Sequence, residues 1–122
     1  MNIGIVGCGN ISETYFECQK IFNNFKIVAC ADINKEAASN AASKYNVKSL
    51  SVEEIVESNE IDLIINLTIP AAHKEIITKS LHNGKHCFSE KPLAMNFEEG
   101  LEIQKLADEK GLYVGCAPDT FL

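Results

Sequence analysis

Directly after an apolar run from Asn2 to Val6 comes Gly7-Cys8-Gly9-Asn10-Ile11-Ser12, a G-x-G-x-x-S turn that leads into a helical pattern. Such a turn aims free backbone N–H groups at the helix start toward an anion. Gly7 permits the tight turn, and Gly9, with no side chain, lets a pyrophosphate approach the loop Gly7-Cys8-Gly9-Asn10-Ile11. The third position needs a small residue for helix–strand packing, and Ser12 is small. Asp32 ends the second apolar run, 23 positions past Gly9. That is close to the roughly 20 expected for a carboxylate that accepts hydrogen bonds from an adenosine ribose. Together these residues predict a dinucleotide site, with Asp32 and Ile33 on its adenosine side. A carboxylate at position 32 repels a 2′-phosphate, and all eleven basic residues are lysine, with no arginine in the chain. NAD is therefore expected rather than NADP, with Lys35 as the competing point charge. The structural alternative for Asp32 is a cap for the helix opening near Asn34.

The rest of the chain must position that turn. With 122 residues, 46% of them hydrophobic and 23% charged, the chain has the length and apolar content of one ordinary domain. A net charge of −6 gives no footprint for a nucleic-acid backbone or an anionic membrane surface. No window approaches the roughly 18 uninterrupted apolar residues of a membrane helix. The first lysine is Lys20, too late for the positive start of a secretory signal. The five cysteines, Cys8, Cys18, Cys30, Cys87 and Cys116, are odd in number and form no C-x-x-C. A reduced, cytoplasmic protein is the expectation.

Apolar runs alternate with helical periodicity. Strands are expected at Asn2–Val6, Phe25–Ala31, Val47–Leu50, Leu63–Leu67, His86–Ser89 and Tyr113–Cys116. Between Asn10 and Asn23, Ile11, Thr14, Tyr15, Cys18, Ile21 and Phe22 share one helical arc. Ala37, Ala38, Ala41, Ala42 and Tyr45 form the face of a second helix, whose alanines allow a close approach to a sheet. Ser51 with Glu54, and Asn96 with Glu99, carry helix-start spacing. Pro70 suits a first helical turn, ahead of a face bearing His73, Ile76, Ile77, Ser80 and Leu81. Strands separated by helices predict right-handed βαβ units and a parallel sheet. The expected fold is α/β and doubly wound, a mainly parallel six-stranded sheet in the order 3-2-1-4-5-6 with helices on both faces.

Three further segments complete a recognisable order: Thr68-Ile69-Pro70-Ala71-Ala72-His73, then Asn83-Gly84-Lys85-His86, then Ser89-Glu90-Lys91-Pro92-Leu93-Ala94. With the glycine turn they resemble the Gfo/Idh/MocA family of oxidoreductases, whose pattern runs strand, T-P-x-x-x-H, helix, G-K-H, strand, E-K-P. The likeness covers Met1 to Leu122, and Glu90-Lys91-Pro92 is its most specific part. Pro70 stands one place later than the pattern, while Thr68 and His73 keep their spacing. The resemblance implies that Leu67, Thr68, His73 and Pro92 line the cofactor. It implies that Glu90 bonds the nicotinamide-side ribose, and that Lys91 stands beside the nicotinamide and the substrate hydroxyl as the catalytic cation. It also implies a cis Lys91–Pro92 peptide. The activity implied is hydride transfer between the nicotinamide and a hydroxyl or carbonyl carbon of a sugar, polyol or related molecule.

The residues carry competing readings as well. A histidine on an apolar helical face, as at His73, is commonly a structural hydrogen-bonder. His82, His86 and Cys87 have a spacing open to metal ligation, but they straddle the Asn83-Gly84 turn, and no metal site is expected. Cys8 is read as a passive loop residue, the alternative being a thiol of lowered pKa at the helix start. The family's proton acceptor and substrate pocket belong to a second α/β domain, so residues 1–122 are expected to be the dinucleotide-binding domain of a longer protein. That expectation leans on the apolar final residues, Pro118 to Leu122. Alone, the chain should bind dinucleotide without turnover, and the face left for the second domain should favour self-association into a homo-oligomer. The alternative is a stand-alone nucleotide-binding sensor without chemistry, against which Glu90 and Lys91 argue.

Overall fold

Runs rich in isoleucine and valine become strands because branched side chains pack well on a pleated surface. The computed structural model describes residues 1–118; Asp119 to Leu122, part of the apolar end noted above, lie outside the described residues. The strands are β1 (Asn2–Val6), β2 (Lys26–Ala31), β3 (Lys48–Ser49), β4 (Leu63–Asn66), β5 (His86–Ser89) and β6 (Val114–Cys116). The helices are α1 (Ser12–Cys18), α2 (Lys35–Tyr45), α3 (Val52–Glu57), α4 (His73–His82) and α5 (Phe97–Lys110). The sheet runs β3-β2-β1-β4-β5-β6, and every neighbouring pair is parallel. This is the doubly wound order expected from the sequence.

Side chains alternate across β1, so the strand feeds two cores. Ile3 and Ile5 join Phe16 of α1 and Ala42 of α2 on one face of the sheet. Val6 joins Ile55 of α3, Ile77 of α4 and Ile103 of α5 on the other. Gly4 marks a close helix–sheet contact, where a Cβ would lie 2.9 Å from the side chain of Ile55. Helix ends follow the expected chemistry. Ser51 and Glu54 form a reciprocal capping box, and the Asn96 side chain accepts from the Glu99 amide. Asn34 caps α2 in the same manner, accepting from Glu36 and Ala37.

Two expectations need correction. The helix predicted over Asn10–Asn23 is only Ser12–Cys18. Beyond it the amide of Ile21 turns back to the Cys18 carbonyl, and Gln19 uses its side-chain oxygen to accept the Ile27 amide at the start of β2. Ile21 and Phe22 are left exposed instead of extending the buried arc. Pro70 opens a three-residue 3-10 turn, Pro70–Ala72, and α4 begins after it at His73.

Candidate dinucleotide-binding site

Strand register brings the site together. Val6 pairs with Ala31 on one side and Asn66 on the other, and Asn66 pairs with Ser89. One residue past each strand end stand Gly7, Asp32, Leu67 and Glu90, side by side along the carboxyl edge of the sheet. The ladder continues into these loops: the Gly7 amide donates to Ala31 O, the Leu67 amide to Val6 O and the Glu90 amide to Asn66 O. β1 is also where the strand order reverses direction, the switch point at which open α/β sheets bind ligands.

The glycine turn is held from several directions. Gly7 has φ +103, and a Cβ there would lie 2.6 Å from the Leu67 carbonyl carbon, so the position requires glycine. Gly9 is different: a Cβ would meet no atom within 4 Å. Its bare surface is open toward the cavity, as a cradle for a phosphate requires. Ser12 is buried, and its hydroxyl donates to Gly9 O at 2.6 Å. The serine thus braces the loop where the usual small residue only leaves room. Asn10 and Ile11 are exposed at the start of α1.

Asp32 accepts the Cys8 amide on Oδ2 at 2.7 Å and the Asn34 amide on Oδ1 at 2.8 Å. A carboxylate has about four acceptor sites, so both oxygens retain capacity for a ribose hydroxyl. The Cys8 thiol, which donates to Ala31 O, is pushed up from its ordinary value, first by the neighbouring Cys30 thiol, then by burial and last by the charge of Asp32. The lowered pKa considered for this thiol is therefore not found.

A cavity of about 370 Å³ lies over the turn, lined by Gly7, Gly9, Asp32, Ile33, Leu67 and Thr68 among others. Ile69, absent from the expected site, also lines it and is 70% exposed. Across its mouth Lys79 of α4 pairs with Glu75 at 3.1 Å and Glu53 at 3.6 Å. A larger open groove, about 600 Å³, lies elsewhere between α5 and residues 93–96. It is far poorer in ionisable groups, so chemistry and not size selects the cavity over the glycine turn.

The second half of the site is organised by Asn66, a residue not singled out as part of the site. It is fully buried at the end of β4. Its Oδ1 accepts from the Thr68 hydroxyl at 2.6 Å and the Thr68 amide at 3.2 Å, while Nδ2 donates to His73 O. The signal available was a polar residue ending an otherwise apolar strand. His73 is 1% exposed. Its Nδ1 lies 2.5 Å from Pro92 O and its Nε2 2.7 Å from Thr68 O. The ring therefore ties the loop after β4 to the loop after β5 and does not line the cavity. The Lys91–Pro92 peptide is cis, as the resemblance implied. Lys91 is exposed beside half-buried Glu90, whose Oε1 accepts from the Tyr15 hydroxyl. His86, far from any such edge, accepts the Tyr113 amide on Nδ1.

A glycine turn at the switch point of a parallel sheet, with an acid at the neighbouring strand end, defines a dinucleotide-binding Rossmann domain. The chain belongs to the Gfo/Idh/MocA oxidoreductase family, described by its NAD-binding Rossmann fold, which matches residues 1–117. It is 30% identical over 113 residues to the 2,7-anhydro-N-acetylneuraminate hydratase of Escherichia coli, covering 92% of this chain and 30% of that protein. It is 31% identical over 107 residues to the inositol 2-dehydrogenase of Agrobacterium fabrum, covering 84% of this chain and 32% of that protein. Among solved structures, Synechocystis biliverdin reductase in complex with biliverdin and NADP+ matches with a TM-score of 0.88 at 28% identity, over 94% of this chain and 37% of that one. GenD2 from gentamicin A biosynthesis, in complex with NAD, matches in fold with a TM-score of 0.91 at 16% identity, over 96% of this chain and 34% of that one. The chain spans about a third of the length of these relatives. Among the described residues, no helix is long and apolar enough to cross a membrane.

Proposed function

We propose that the chain binds NAD along the carboxyl edge of its sheet and serves as the cofactor half of an oxidoreductase. That enzyme transfers a hydride between the nicotinamide and a hydroxyl or carbonyl carbon of a sugar, polyol or related small molecule. The observation that carries this reading is the register that aligns Gly7, Asp32, Thr68 and Glu90-Lys91 on one edge. In it, the loop amides from Gly7 to Ile11 hold the pyrophosphate, and Asp32 accepts from the adenosine ribose. Glu90 accepts from the ribose on the nicotinamide side. The nicotinamide, when bound, supplies the carbon that gives or takes the hydride. Lys91 directs its ammonium at the substrate oxygen, where a cation stabilises developing negative charge. His73 acts from between the Pro92 and Thr68 carbonyls, fixing the loop that carries Lys91.

NAD is preferred in this reading because Asp32, Glu53 and Glu75 line the cavity, with Lys79 as the one cation among its lining residues. A 2′-phosphate there would meet like charge with no arginine to pair it. The substrate pocket and the proton acceptor are assigned to a second unit, in keeping with the share of its relatives that the chain covers. The chain by itself then binds dinucleotide without turnover.

Paired titrations with NADH and NADPH test the cofactor assignment: tighter binding of NADH is expected, and tighter binding of NADPH would overturn it. For Lys91, the measurement is turnover of a polypeptide that includes the substrate unit. Lys91→Ala should leave NADH affinity within about twofold and lower turnover by about a hundredfold. Unchanged turnover would remove Lys91 from the chemistry.

A further inference from the structure

Tyr15 lies on α1, just beyond the glycine turn, and its hydroxyl donates a 2.6 Å hydrogen bond to Glu90 Oε1 across 75 residues of sequence. The ring is half-buried and tilted against Phe88 of β5, with centroids 6.4 Å apart. The hydroxyl therefore approaches the carboxylate from a fixed direction. Burial first, and the Glu90 carboxylate next, push the phenol up from its ordinary value, so it stays a donor throughout the neutral range. The bond spans the site. One partner rides on the helix that presents the pyrophosphate loop, and the other immediately precedes Lys91.

We propose that Tyr15 is the positioning residue for Glu90, holding one carboxylate oxygen so that the other faces the ribose on the nicotinamide side. The proposal rests on the reading of Glu90 as that ribose's acceptor. Tyr15 touches neither the reacting carbon nor the substrate. Its work is to remove the freedom of a glutamate that would otherwise sample several rotamers at an exposed loop, an entropy that ligand binding would have to offset. The same bond links the two halves of the site, so the phosphate loop and the Glu90-Lys91 loop are set relative to each other before a ligand arrives.

The test measures affinity for NADH and for ADP, which lacks the nicotinamide half, in the wild-type chain, Tyr15→Phe, Glu90→Gln and the double variant. Tyr15→Phe keeps the ring and removes only the donor. It should weaken NADH about fivefold, the net scale of one hydrogen bond, and leave ADP unchanged. Glu90→Gln should weaken NADH at least as much, and the double variant no further, since both changes remove one device. Unchanged NADH affinity in Tyr15→Phe, alongside a loss in Glu90→Gln, would overturn the role of Tyr15 while leaving that of Glu90. Equal weakening of NADH and ADP would make Tyr15 a general structural residue, and tighter NADH binding would make it a competitor for the carboxylate; either overturns the proposal. No loss in Glu90→Gln would overturn the reading of Glu90 beneath it.

Discussion

Asp32 accepts the backbone amide of Cys8 at 2.7 Å, so the acid ending β2 and the glycine turn ending β1 form one hydrogen-bonded unit. Its other oxygen accepts the Asn34 amide, and Asn34 in turn caps α2. Asn34 and not Asp32 is thus the cap of α2, while the Asp32 carboxylate holds the glycine loop and lines the cavity. Replacing it by Asp32→Ala should cost roughly 1–3 kcal/mol of stability by orphaning two amides. It should also weaken NADH and narrow its preference over NADPH. Denaturant unfolding with paired titrations reads both effects; an unchanged cofactor preference would contradict the role given to the charge.

The two glycines of the turn should fail in opposite ways. Gly7→Ala places a methyl against the Leu67 carbonyl at a positive φ. It should lower stability by roughly 2–4 kcal/mol. At Gly9 an added Cβ meets no neighbour within 4 Å, and Gly9→Val should melt like the wild type. It fills the phosphate cradle, however, and should abolish NADH binding. Thermal melts and NADH titration on both variants separate folding from binding, and retained binding in Gly9→Val would refute the cradle.

The buried ring of His73 sits between the Pro92 and Thr68 carbonyls, and a neutral imidazole has one N–H to donate to them. His73→Phe keeps the ring's bulk and removes that donor. A loss of roughly 1–3 kcal/mol is expected from urea unfolding, the scale of one hydrogen bond lost with its acceptor left unpaired. A change within about half a kcal/mol would mean that the contact carries no net stability.

Thiol reactivity checks the electrostatics of the loop. Cys8 is raised by the neighbouring Cys30 thiol and by burial, and burial pushes Cys87 up to about 12. A raised thiol pKa leaves little thiolate at neutral pH, and thiolate is the nucleophile. Iodoacetamide at pH 7.5 should leave both unlabelled in the native chain and label both in denaturant, as read by mass spectrometry. Rapid native labelling of Cys8 would contradict the assignment.

Strand order, the helix caps and the glycine–acid pair were legible in the sequence because each depends on local pattern: β-branched runs, Ser51 with Glu54, Gly7 with Gly9. The end of α1 was not, because the side-chain acceptance of the Ile27 amide by Gln19 is a contact that periodicity does not register. Asn66 works through the nearby loop residues Thr68 and His73, whose turn geometry periodicity does not give either, and Tyr15 through Glu90, brought near across 75 residues only by the fold. Gly4 read as an ordinary strand residue until Ile55 of α3 packed against it. His73 was legible as a position, and its part in the site came only with the fold.

The central claim is that a dinucleotide occupies the carboxyl edge of this sheet. An amide-resolved NMR titration of the ¹⁵N-labelled chain with NADH tests it most directly. Saturable shifts are expected at residues 7–11, 32–33, 67–69 and 90–91, with smaller ones elsewhere. Shifts confined to the groove between α5 and residues 93–96, or none at saturating NADH and NADPH, would contradict it.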